Sequence, residues 1–397
     1  MPMKPMGIPS FGLLLEAREA FISGHAEQAS VWTLSTKQAS ASLSASLSAS
    51  FLLYSGAEAL SEAIQDFSIP VEQFDQLGGL IFDSGEPIFD GQFLAQLEQF
   101  RFSGNLDALA EGTVAFADMP IIRVEAPYWQ GVLLEAILSQ TIQPQTQIAT
   151  RAAHLRRKLK KGALIEDMAI SCTNLTDARR FVRAAYVGGC DATTHIYAAD
   201  SLGIPLRSFL RCQNTMPTGP NGDILLHATE AQQVRDQSQS LRKQFSKQGF
   251  EREIIANAEI DPDELAAIAS FRNPPTAWRI ADSLAQGLPL QWRYECSAIK
   301  SSGAEPDESE HFKPQPNATL PGRLQAYLNK KGQKLSGITV KDLDDEKPPK
   351  GAPMLETMFR DGNCFYFPPS LESLQQKSLA ALQQLPGSGH VPVVFDR

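Results

Sequence analysis

Guanidinium and hydroxyl side chains in the middle of the chain set the chemistry this sequence can do. Arg151, Arg183, Arg207, Arg211 and Arg279 supply the first kind, Tyr186, Thr193 and Thr194 the second, and His195 adds an imidazole. A guanidinium is a planar fork that grips carboxylate or phosphate with two parallel N–H groups, so several brought together would form an anion pocket. An imidazole at His195 could act as a general base, while a hydrogen-bonded structural role beside a turn is the plainer reading. Cys212 follows Arg211 directly. A neighbouring cation lowers a thiol pKa and makes a nucleophile, while a small buried hydrophobe is the plainer reading. The five cysteines (Cys172, Cys190, Cys212, Cys296, Cys364) show neither CxxC nor CxxH spacing. No metal ligand set or disulfide framework follows from them, and reduced thiols are expected.

These groups need a scaffold large enough to hold them in register. With 397 residues, 43% hydrophobic and 20% charged, the chain has an ordinary globular composition and a length suited to two or three domains. Its net charge of −9 argues against nucleic acid as a partner, because phosphate recognition shows as a Lys/Arg excess on one face. The one dense basic run, Arg156, Arg157, Lys158, Lys160 and Lys161, reads as the cationic end of a helix. No stretch approaches the roughly 20 apolar residues of a membrane helix, and the start MPMKPMGIPSFG has no unbroken apolar core. A cytoplasmic protein without membrane contact is the expectation.

Helical spacing is expected over Gly12–Phe21, in AEALSEAIQDF up to Pro70, and over Gly91–Phe100. The Ser/Ala/Leu tract Ala39–Tyr54 reads as a loop leading into a strand. Gly104, Gly112 and Pro120 punctuate short strands, and Trp129 to about Lys161 predicts two successive helices broken at Pro144. From Ala163 to Ile260 short apolar runs alternate with helical ones, which implies parallel strands with helical crossovers, in a barrel or a doubly wound sheet. Beyond Ser301 two polar, Pro-containing loops mark a change in composition.

Several longer runs carry a family resemblance. FRFSGNLDALAEGTVAFADMPIIRVEAP (Phe100 to Pro127), LLEAILSQTIQPQTQIATRAA (Leu133 to Ala153), RAAYVGGCDATTH (Arg183 to His195), LGIPL (Leu202 to Leu206) and TLPGRLQAYL (Thr319 to Leu328) resemble motifs of nicotinate phosphoribosyltransferases. That resemblance implies an irregular α/β barrel of the type II phosphoribosyltransferase kind beside an α+β domain built from N- and C-terminal parts, assembled as a homodimer. It also implies transfer of a phosphoribosyl group from phosphoribosyl pyrophosphate to nicotinate in NAD salvage, with magnesium and ATP as helpers if the family activity is retained.

The family's chemical positions are substituted. Counting back from Arg183 to the family's RRAQG reaches Ile170, Ser171, Cys172, Thr173 and Asn174. Cys212 stands where a phosphate-accepting histidine is implied. TEAQQV (Thr229 to Val234) and WRIADSL (Trp278 to Leu284) replace two glycine phosphate loops, so Arg279 and Ala281 take glycine places and Asp282 a threonine place. Phe11 lies where a stacking tyrosine is implied. Only NTMPTGPNGD separates Gln213 from Ile224, too little for a strand, helix and strand, so the barrel is expected to be incomplete.

The resulting expectation is residues 1–150 as the N-terminal α+β part, 151–300 as the barrel, and 301–397 packing back on the first. Cys212 and His195 are the catalytic candidates. Phe11, Arg183, Tyr186, Thr193, Thr194, Arg211 and Arg279 are the candidates for a small-molecule ligand, phosphoribosyl pyrophosphate or a nicotinate-like acid. The function expected is that of a relative with lost or altered catalysis. The alternative is an active transferase, on nicotinate or another base, with a rearranged site.

Overall fold

The structure, a computed structural model, describes residues 10–37, 51–159, 162–167, 174–211, 223–226, 230–249, 252–257, 262–280, 290–300, 312–345, 347, 349–387 and 389–396. Most of the Ser/Ala/Leu tract, the RRAQG-equivalent residues 170–173, Cys212 and Ala281–Leu284 lie outside them.

Helix α1 (Phe11–Ile22) starts on Ser10, whose hydroxyl accepts from the Leu13 amide, and it buries Leu14, Ala17 and Ala20. Strands β1 (Ala29–Lys37) and β2 (Leu52–Leu53), helices α2 (Ala57–Gln65), α3 (Val71–Gly78) and α4 (Gly91–Glu98), and strands β3 (Asn105–Leu109), β4 (Val114–Ala115) and β5 (Ile122–Pro127) follow. Helix α5 (Tyr128–Lys158) then runs unbroken for 31 residues, about 46 Å at 1.5 Å per residue. This corrects the expected pair of helices. Pro144 removes one donor, but the carbonyl it leaves belongs to exposed Gln140, while neighbours such as Ile137, Ile142 and Ile148 are fully packed. Burial of the apolar face outweighs one lost hydrogen bond.

Next come β6 (Ala163–Glu166), α6 (Leu175–Val187), β7 (Ala192–Thr193), α7 (Ile196–Leu202), β8 (Phe209–Arg211), β9 (Asp223–Leu225), α8 (Ala231–Gln248), β10 (Ile254–Asn257), α9 (Pro262–Ala269) and β11 (Ala277–Ile280). The chain returns through β12 (Gln291–Lys300), β13 (Phe312–Pro314), β14 (Leu324–Lys331), β15 (Lys334–Asp342), β16 (Ala352–Pro353), β17 (Leu355–Arg360), β18 (Asn363–Cys364), α10 (Leu371–Gln384) and β19 (Val393–Asp396).

Three main sheets organise these elements. A seven-stranded antiparallel sheet runs β13-β12-β1-β5-β3-β17-β18, interleaving strands from both ends of the chain. A four-stranded sheet, β16-β14-β15-β19, carries the TLPGR turn at its entry. There Gly322 has φ +103°, and a Cβ on it would lie 2.0 Å from the Asp342 carboxylate. The third sheet, β7-β6-β11-β10-β9-β8, is parallel at every pairing.

The parallel sheet curls until its edges meet. Thr193 of β7 bridges Leu206, just before β8: its amide donates to the Pro205 carbonyl at 3.0 Å, and its own carbonyl accepts from Arg207 at 2.9 Å. The expected incomplete barrel is therefore present, with six strands among the described residues where a full α/β barrel has eight. Residues 212–222, which join β8 to β9, lie outside the described residues. Ile165, Leu225, Ile255 and Ala277, with Ala163 and Phe209, fill the interior. Helix α5 packs against α1, α2, β2 and β5 and also against α6 and α9, so one large core joins the antiparallel sheet to the barrel.

Candidate active site at the carboxyl ends of the barrel strands

In a barrel, alternate residues of each strand face inward, and the last inward residue of each strand lines the mouth. Ala163 and Ile165 of β6 face inward, so two residues further on Asp167 does too. Ala277 of β11 faces inward, and so does Arg279. Arg279 Nε donates to Asp167 Oδ2 at 2.6 Å, and Thr194 Oγ1 donates to Asp167 Oδ1 at 2.6 Å. The Arg279 guanidinium also lies 5.9 Å from the centroid of the inward ring of Phe209. The mouth thus presents a carboxylate clamped between a threonine and an arginine. Both are largely withdrawn from water, with side chains 12% exposed for Arg279 and 3% for Asp167.

Thr193 sits one residue out of phase and faces away from the interior, its hydroxyl donating to buried Glu166 at 2.5 Å. His195 is the N-cap of α7: its Nδ1 accepts from the Ala198 amide at 3.2 Å, so that nitrogen carries no proton in this arrangement. Tyr186 packs among Val182, Ala198, Ile204 and Leu371 on the helical side of the barrel, and burial raises its hydroxyl pKa. Arg207 bonds Asp223 and Glu253 at the amino ends of β9 and β10, the end of a barrel that serves stability. The backbone of Arg211 ends β8, and Cys212 lies outside the described residues.

Arg183 occupies a different place from the mouth. It is buried on α6 and held by two carboxylates. Its terminal nitrogens donate to Glu111 Oε1 and Oε2 at 2.5 and 2.8 Å, and its Nε donates to Glu58 Oε2 at 2.7 Å. Ser55, the Gly56 amide and Tyr366 complete the bonds to Glu111. Burial alone would lift the Glu111 pKa, but the Arg183 charge and these donors outweigh it and hold the carboxyl below its ordinary 4.5. Phe11 opens α1 at the surface, 47% exposed, with its ring edge-on to Phe89 at 6.0 Å.

The structure therefore brings Thr194 and Arg279 together, and separates Phe11, Arg183, Tyr186, Thr193 and His195 into other roles. Asp167 and Phe209, which complete the mouth, were not among the sequence candidates. Period-two alternation through ALIED was the signal that could have found Asp167, since it puts Ala163, Ile165 and Asp167 on one face. No group of three or more His, Cys, Asp or Glu side chains that could hold a metal occurs among the described residues. Chemically, the described residues give the mouth an oriented guanidinium, a carboxylate already engaged and a hydroxyl, with Asn257 in register beside Arg279.

No protein-family model matches the chain. Among curated proteins it is similar to a nicotinate phosphoribosyltransferase of Mycobacterium tuberculosis, 24% identical over 358 residues, covering 79% of this chain and 74% of that protein. It is also similar to the nicotinate phosphoribosyltransferase of Dictyostelium discoideum, 26% identical over 250 residues, 60% of this chain and 40% of the relative. Among solved structures, human nicotinic acid phosphoribosyltransferase superposes with a TM-score of 0.77 at 15% identity, over 98% of each chain. A nicotinate-nucleotide pyrophosphorylase from Pyrococcus furiosus gives 0.64 at 13% identity, over 96% of this chain and 99% of that one.

Proposed function

We propose that the chain is a nicotinate phosphoribosyltransferase relative with a role in NAD salvage that has lost phosphoribosyl transfer, a reading supported by its similarity to curated relatives and to the human structure. It acts instead as a ligand-binding or regulatory protein. The observation that carries this reading is the Arg279–Asp167 ion pair inside the barrel mouth. Displacing pyrophosphate from a ribosyl carbon requires cations that neutralise several phosphate oxygens at once. Here Arg279 in the mouth is offset by a buried carboxylate, and Arg183 is committed to Glu58 and Glu111. A diphosphate placed beside Asp167 would be repelled.

The family's homodimer is part of the proposal. Leu175 and Ile196, 57% and 72% exposed, open α6 and α7 beside the mouth, forming an apolar rim suited to cover by a second copy. Phe11, exposed on α1, is the residue such a partner would bring. A cytoplasmic setting fits the free thiols Cys190, Cys296 and Cys364, and no described helix is long and apolar enough to cross a membrane.

The test is an endpoint assay for nicotinate mononucleotide, with nicotinate, phosphoribosyl pyrophosphate, ATP and magnesium supplied. No product above a no-enzyme control is expected. Turnover would establish the alternative, an active transferase with a rearranged site. Light scattering behind gel filtration should give twice the 43.4 kDa chain mass, and a monomer would remove the homodimer from the account.

A further inference from the structure

Arg279 engages Asp167 through Nε alone, and its two terminal nitrogens have no hydrogen-bond or ion-pair partner among the described residues. The guanidinium is nevertheless fixed. Asp167 holds one edge, Thr194 holds Asp167, and the Phe209 ring lies against the guanidinium. An arginine oriented in this way has surrendered much of its rotamer freedom before any ligand arrives, which lowers the entropic cost of binding. Its unbonded edge offers two N–H groups at the spacing of two oxygens on one carboxylate or one phosphate. Asn257 stands beside Arg279 in strand register, at the same end of the barrel.

Charge limits what fits. The fork carries one positive charge, and Asp167 lies behind it, so a second anionic group of the same ligand placed against Asp167 is repelled. We infer that the barrel mouth is a binding site for a ligand bearing a single oxyanion, one carboxylate or one phosphate group, gripped bidentately by Arg279. Asp167 and Phe209 are its positioning residues. This rests on the reading that the mouth no longer handles pyrophosphate. It adds a ligand class and a specificity-determining residue at a position where the family resemblance implies glycine.

Calorimetric titration of the full-length chain at low salt tests it, with inorganic phosphate, benzoate and pyrophosphate as probes. The wild type is expected to bind phosphate or benzoate, and the tighter of the two identifies the phosphate or the carboxylate source. Arg279→Gln should weaken that binding by about tenfold or more, the loss expected for a charge-assisted hydrogen bond. Arg279→Lys, which keeps the charge but not the fork, should fall between them. Pyrophosphate should bind no tighter than phosphate.

The inference is overturned if neither phosphate nor benzoate binds the wild type, if Arg279→Gln binds them equally well, or if pyrophosphate binds more than about tenfold tighter. Should Arg279→Gln fail to fold by circular dichroism, Arg279→Lys decides: affinity equal to wild type overturns the bidentate grip. Nicotinate mononucleotide formation would refute the loss of transfer while leaving Arg279-dependent binding to stand or fall by titration.

Discussion

Arg183 and Arg279 show how the same residue type is put to different ends by what surrounds it. Arg183 is buried with carboxylates on two edges, so its fork is fully used inside the protein. Removing Glu111 leaves that charge partly uncompensated, and Glu111→Ala should cost about 3–5 kcal/mol, read from urea unfolding midpoints. Because the folded-state pKa of Glu111 lies below its ordinary 4.5, its contribution is fully present above pH 4.5 and is lost as pH falls through the depressed value. Stability of the wild type should therefore drop below pH 4.5 more steeply than that of Glu111→Ala. The arginines themselves were legible in the sequence, but their partners were not. Glu58 and Glu111 lie 125 and 72 residues from Arg183, and nothing in local spacing brings them together.

At the scale of elements, alternation and helical spacing located most strands and helices, while Pro144 was misleading. The proline rule is local, whereas α5 is held by contacts along its whole length. Close approach matters at Gly131, where a Cβ would lie 2.1 Å from the Trp32 indole nitrogen of β1. Gly131→Ala should therefore cost about 1–3 kcal/mol through overpacking, despite alanine's better helix propensity, with a lower thermal midpoint as the measurement. His154, also on α5, stacks on Phe51 with ring centroids 4.0 Å apart and hydrogen-bonds the Phe51 carbonyl at 3.1 Å. Burial, aided by nearby Lys158, Arg157 and Arg151, lowers its pKa from 6.5 to about 4. The unfolded chain binds this proton first, so stability is expected to fall from pH 6.5 down to about 4. His154→Phe should flatten that part of the pH profile in urea titrations, and an unchanged slope would place its cause elsewhere.

For the whole molecule, the long motifs made the framework legible because they carry buried packing and turn geometry, such as Gly322 against Asp342. The site was less legible. Its residues come from the ends of three strands, Asp167 lying 27 residues from Thr194 and 112 from Arg279, and only the pairing of β6 with both β7 and β11 makes them neighbours. The proposed mouth recognises one anionic group and does not support phosphoribosyl transfer. The most direct measurement is the affinity of the full-length chain for phosphoribosyl pyrophosphate, with and without magnesium, set against inorganic phosphate. Phosphoribosyl pyrophosphate is expected to bind no tighter than phosphate, with magnesium leaving its affinity unchanged. Micromolar, magnesium-dependent binding would contradict this.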